Sequence, residues 1–216
     1  MTELNFEAMR RAMVEGQLRT TGVNDPRVVA AMAVVPRERF VPAEWRALAY
    51  MDRPVPLGGG RALNLPEATG LLLTAATVRP SDRVLVVGAG TGYAAALLAR
   101  LADRVVALEE DSQLLAAARL ALAGERVEIV EGPLEEGWPA GAPYDLIMLD
   151  GLVEHIPDAL VEQLHDGGRF ICALLDDGAS RLAVGRKSGG AFGLELFADC
   201  EAVTLPGFAK PKSFVF

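Results

Sequence analysis

The sequence predicts an α/β fold: a mostly parallel sheet with helices on both faces, an antiparallel C-terminal edge and a helical N-terminal region. Three observations carry this. Short runs rich in β-branched residues, Arg83 to Val87 first among them, alternate with helical segments along the second part of the chain. Their near-continuous apolar character is that of strands buried on both faces. Two last apolar runs flank Ser188-Gly189-Gly190, the mark of a hairpin and so of an antiparallel edge. The start of the chain is instead helical and loop-rich. That contrast predicts an N-terminal helical cap over residues 1–80 and a sheet-bearing domain over 81–216.

The elements follow in order. Phe6, Met9, Met13, Gln17 and Leu18 fall at helical spacing, with Arg10, Arg11 and Glu15 outside. Asn24-Asp25-Pro26 starts a second helix with Val28, Val29, Ala31 and Met32 inward, and Pro36 ends it. Ala43 to Tyr50 predicts one more short helix, and Met51 to Gly60, proline- and glycine-rich without periodicity, a loop. A helix then ends near Val78, with Asn64 as its N-cap and Glu67 completing a capping box. Beyond it, strands are predicted over Arg83–Val87, Arg104–Leu108, Arg126–Val130, Tyr144–Leu149 and Arg169–Leu174. Helices are predicted over Tyr93–Arg100, Ser112–Ala123 and Pro157–Leu164. Leu182–Val184 and Phe192–Phe197 make the terminal hairpin.

Composition narrows the function. With 216 residues and 51% hydrophobic side chains, the chain can bury one sizeable core. A net charge of −8 without any Lys/Arg stripe argues against nucleic acid and anionic membrane as partners. Leu71 to Val78 is far too short to span a bilayer. Glu3, Glu7, Arg10 and Arg11 stand where a secretory leader would have its apolar core, so none is expected. Cys172 and Cys200 sit in apolar runs without metal-ligand spacing; buried thiols, no metal and a reducing cytoplasm are the expectation.

The chain is organised around residues 83–111. A strand is followed by Gly88-Ala89-Gly90-Thr91-Gly92, a helix, and a second strand ending at Glu109, 21 residues after Gly88. Glycines let the backbone turn sharply and approach a ligand, and an acid ending the second strand can accept both ribose hydroxyls. A dinucleotide fingerprint would carry its third glycine one residue later. The GxGxG form after a strand is common in S-adenosylmethionine (SAM) methyltransferases, which predicts a Rossmann-like SAM methyltransferase sheet. Gly88, Ala89, Gly90, Gly92 and Glu109 are the predicted cofactor-binding residues, and SAM the cofactor. A tight βα turn without a ligand is the plain alternative.

Further blocks point to a family. Met13-Val14-Glu15-Gly16-Gln17-Leu18, Asp25-Pro26-Arg27-Val28 and Val35-Pro36-Arg37-Glu38-Arg39-Phe40-Val41-Pro42 are three of them. Ala49-Tyr50-Met51-Asp52, Pro54-Val55-Pro56-Leu57, Ala142-Pro143-Tyr144-Asp145 and Gly167-Gly168-Arg169 are others. With these the chain resembles protein-L-isoaspartate (D-aspartate) O-methyltransferases over nearly its whole length. The resemblance implies methyl transfer from SAM to the α-carboxylate of an isoaspartyl residue in a protein or peptide, a protein-repair reaction.

The chain departs from the family's pattern at several places. The family carries a catalytic Ser followed by Gln-Pro, where this chain has Asn64, Leu65 and Pro66. Asn64 is therefore the candidate catalytic residue, its amide standing in for the hydroxyl, or else only the helix cap. Val86 replaces an acid before the glycine turn, and Gly132-Pro133-Leu134 replaces a Gly-Asp-Gly that lies near adenine; Glu131 or Glu135 is left to reach the adenine amine. Leu149-Asp150-Gly151-Leu152 stands where the family has small residues and a threonine. The acceptor carboxylate is ionised at neutral pH, so no general base is required, and the lost hydroxyl removes a positioning contact costing on the order of 100-fold.

Two other readings stay open: a family member that has lost catalysis and serves as a binding protein, and a SAM methyltransferase for a small molecule. The remaining candidates are His155 after the fourth strand, Asp150 for the acceptor, Trp45 and Tyr50 for an acceptor groove, and Trp138 and Tyr144 as core or rim.

Overall fold

A computed structural model describes residues 4–210; residues 1–3, with Glu3, and 211–216 lie outside the described residues. Seven strands form one sheet. They are β3 (Arg83–Val87), β4 (Arg104–Glu109), β5 (Val127–Glu131), β6 (Tyr144–Val153), β7 (Leu164–Asp176), β8 (Ala179–Ser188) and β9 (Ala191–Asp199). Their order is β5-β4-β3-β6-β7-β8-β9. The pairs among β5, β4, β3, β6 and β7 are parallel, and β8 and β9 add the antiparallel edge. The strand order reverses between β3 and β6, which opens a crevice at their carboxyl ends. That is the predicted sheet.

Alternation within the buried strands splits the core into two layers. Val84, Val86, Ala107, Met148 and Ile171 face one layer, together with the N-terminal helices. Leu85, Val87, Val106, Leu108, Ile147 and Phe170 face the other, where Leu160, Leu164 and Leu205 cover them. At the opposite end of the sheet from the crevice, Arg169 on β7 pairs with the buried Asp82 in the turn before β3.

The helices are α1 (Phe6–Met13), α2 (Pro26–Val34), α3 (Pro66–Ala76), α4 (Tyr93–Leu98), α5 (Ser112–Ala121) and α6 (Asp158–Glu162). Asn5, Asp25 and Asp111 cap α1, α2 and α5 through side chains that accept backbone N–H groups. The first helix widens into a π turn over Val14–Leu18. Arg10, expected outside, is half-buried: it donates to the Tyr50 hydroxyl at 2.8 Å and to Glu38 at 3.2 Å.

Two expectations need correction. The stretch expected to be a loop contains a strand, β1 (Val55–Gly58), which pairs antiparallel with β2 (Arg61–Leu63). Such short strands, interrupted by Pro56 and closed by three glycines, show no alternation in sequence. The second correction concerns Asn64, which does not cap α3. Leu65 occupies the N-cap position without a side-chain bond, and Asp52 accepts from the Glu67 N–H at 3.0 Å. A carboxylate brought from the previous loop does the capping that the local spacing assigned to Asn64.

Candidate functional site

The glycine turn leaves the end of β3 at the crevice. Gly88 and Gly90 have φ of 73° and 58°, the left-handed region where a side chain is strained. Gly88 and Ala89 both donate to Leu108 O at 3.0 Å, pinning the turn to β4. Gly88, Ala89, Gly90 and Gly92 are therefore one rigid ledge, and all four are buried.

Glu109 ends β4 beside this ledge and is 1% exposed. Its carboxylate accepts from Gly90 N at 2.7 Å, Glu110 N at 3.0 Å and Asp111 N at 3.1 Å. Arg61 of β2 completes the set with Nη1 to Oε1 at 2.8 Å and Nη2 to Oε2 at 3.0 Å, a two-pronged buried ion pair. Arg61 Nη2 also donates to Gly88 O at 3.2 Å. Nothing in the sequence joined these two residues: Arg61 follows the predicted loop, on the approach to a helix, 48 positions from its partner.

Asn64 follows β2 and is 4% exposed. Its Nδ2 donates to Asp150 Oδ1 at 2.9 Å, and its Oδ1 accepts from Val203 N at 2.8 Å. Arg37, wholly buried, donates to the Asn64 backbone carbonyl and to Ala49 O, and its guanidinium lies 4.7 Å from the Tyr93 ring centre. Burial pushes the Asp150 carboxyl above its ordinary range, and the Asn64 amide, Arg61 and Arg37 pull it partly back. Two carboxylates and two guanidiniums thus meet where β3, β4 and β6 end.

The candidates without a place in this cluster have other partners. His155 Nδ1 lies 3.0 Å from Phe208 O and anchors the C-terminal segment. Tyr144 is core and donates to Trp138 O. Tyr50 is buried and hydrogen-bonds Glu38, while Trp45 is partly exposed. Glu131 is exposed at the end of β5, and Glu135 lies against Gly207. Pro133 has no N–H to offer an adenine ring. Cys172 and Cys200 are free thiols, and among the described residues no group of acids, His or Cys could hold a metal.

Donor chemistry at the crevice fits SAM: a glycine ledge bare of side chains, and a carboxylate at the end of the second parallel strand. The space over them is taken up by the chain itself. A Cβ on Gly88 would collide with Leu205, and one on Gly90 would lie 3.3 Å from Leu57.

Residues 8–207 match the sequence profile described as protein-L-isoaspartate(D-aspartate) O-methyltransferase. This chain belongs to that family. A protein-L-isoaspartate O-methyltransferase of Rhodopseudomonas palustris is 40% identical, the match covering 94% of this chain and 85% of that one. One of Methanoregula boonei is 39% identical over 92% and 93% of the two chains. Among solved structures, a protein-L-isoaspartate O-methyltransferase superposes with a TM-score of 0.80 at 24% identity, covering 92% and 66% of the chains. A Plasmodium falciparum protein assigned to the same activity, crystallised with S-adenosyl-L-homocysteine, gives 0.79 at 20% identity over 94% and 99%. At those identities the two structures speak for the shared fold.

Proposed function

We propose that the chain is a SAM-dependent protein carboxyl methyltransferase acting on isoaspartyl residues. The observation that carries this is family membership along nearly the whole chain, together with the glycine ledge where β3 ends at the switch to β6 and Glu109 at the end of the neighbouring β4. When bound, SAM supplies a methyl group already activated on a sulfonium. The chain's own residues then have three tasks. Gly88, Ala89 and Gly90 present bare backbone, so a ligand can come close. Glu109 offers its oxygens to the ribose hydroxyls. Leu57 and Leu205 keep water from the ledge, which strengthens every polar contact inside. Catalysis by alignment and desolvation needs no proton-abstracting group, and no histidine faces the cluster.

A second reading, transfer to a different acceptor, has one observation in its favour. The Asn64 amide is held by Asp150, so the group in the serine position is turned toward a carboxyl rather than left free for an anionic acceptor. The test is transfer of labelled methyl from SAM to an isoaspartyl peptide and to its aspartyl twin. Base-labile label released as methanol from the isoaspartyl peptide alone supports the main reading. Label on neither peptide, with intact binding of S-adenosylhomocysteine, favours the second.

A further inference from the structure

We infer that Arg61 is a latch: the β1–β2 hairpin closes the cofactor cleft by holding, through Arg61, the carboxylate of Glu109 that the ribose must engage. This rests on the reading of Glu109 as the ribose-binding acid. An ionised carboxylate offers about four lone-pair sites. Glu109 already receives five N–H groups, three from backbone and two from Arg61. The backbone donors belong to the ledge and to the start of α5 and stay put. The two donors from Arg61 belong to a separate element, so they are the ones a diol must displace.

The hairpin is built to let them go. Its base is fixed, with Val55 and Leu63 buried in the core. Its tip is Gly58-Gly59-Gly60, all three in the left-handed region, and Gly58 and Gly60 have no neighbouring atom where a side chain would be. Between base and tip the hairpin carries Leu57 over Gly90 and Arg61 onto Glu109, so opening the tip uncovers Gly90 and the acid. Closure keeps the Glu109 charge paired while it is buried, and ligand binding requires the open form. Apparent affinity is then the intrinsic affinity scaled down by the open fraction.

The experiment compares wild type with Arg61→Gln and Arg61→Ala; the glutamine variant keeps a polar group beside Glu109 if the alanine variant is unstable. Hydrogen exchange of residues 57–63 is followed in the ligand-free proteins, and S-adenosylhomocysteine is titrated calorimetrically into each. The latch predicts faster exchange at the hairpin in the variants, with binding of S-adenosylhomocysteine about 10-fold tighter or more. Equal or weaker binding by variants that keep their fold would overturn it, because Arg61 would then be holding Glu109 in place for the ligand. Unchanged exchange would overturn it as well, whatever the affinities. Faster exchange with no heat from any of the three proteins at millimolar ligand would instead overturn the cofactor reading, and the latch's ligand with it.

Discussion

Asn64 donates its amide to Asp150 across 2.9 Å, joining the start of α3 to the carboxyl end of β6. Its other polar end accepts from Val203 N, so one buried side chain ties two elements of the crevice to the C-terminal segment. Asn64→Ala leaves the Val203 N–H and one Asp150 oxygen without their partner. The expected loss is about 1–3 kcal/mol in urea denaturation, with faster hydrogen exchange at Val203. Unchanged stability would show that the tie contributes nothing.

Asp150 also gives the fold a pH signature. Its folded carboxyl titrates above the ordinary range because burial disfavours the charge. A raised acid binds its proton more tightly in the folded state. Its contribution to stability is therefore full below the unfolded value and fades as pH rises through the folded one. Melting of wild type and Asp150→Asn across that range should show the wild type losing ground to the variant as pH rises. Parallel curves would contradict it.

The C-terminal segment seals the ledge through Leu205. Gly88→Ala costs about 1–2 kcal/mol for the left-handed backbone alone, and the added methyl also meets Leu205. In a double-mutant cycle with Leu205→Ala, the paired loss should be smaller than the sum of the single losses. Strict additivity would mean that the two residues do not touch.

Burial pushes the thiols of Cys172 and Cys200 up to about 12. Thiolate is then scarce at neutral pH, so iodoacetamide at pH 8 should label neither cysteine until the protein is unfolded. Rapid labelling of the folded chain would rule out this account of them.

How far these features could be read in advance depended on the range of the contacts involved. The strands β3, β4, β6 and β7 announce themselves through continuous apolar runs, and the glycine turn is a local backbone requirement. The hairpin was hidden, since three- and four-residue strands with Pro56 and three glycines leave no period to detect. Asn64 and Glu67 have capping spacing, yet Asp52 takes the cap from outside the helix, and spacing cannot register such a competitor. The Arg61–Glu109 pair was equally out of reach. Glu109 stands out as the acid ending a strand, but Arg61 is ordinary in its own stretch, and only the folded chain brings the two together.

The most direct test of the central claim, that Glu109 on the glycine ledge is the cofactor's ribose acceptor, is calorimetric titration with S-adenosylhomocysteine. It belongs in the Arg61→Gln background, where loss of the ion pair cannot mask loss of the ribose contact. Removing a hydrogen bond to a charged group costs about 1.5–3 kcal/mol. Adding Glu109→Gln should therefore weaken binding roughly 10- to 100-fold, measured at a temperature where both variants are fully folded, because the amide nitrogen leaves a buried backbone N–H of the turn without its acceptor. Equal affinity in the two proteins would contradict the claim.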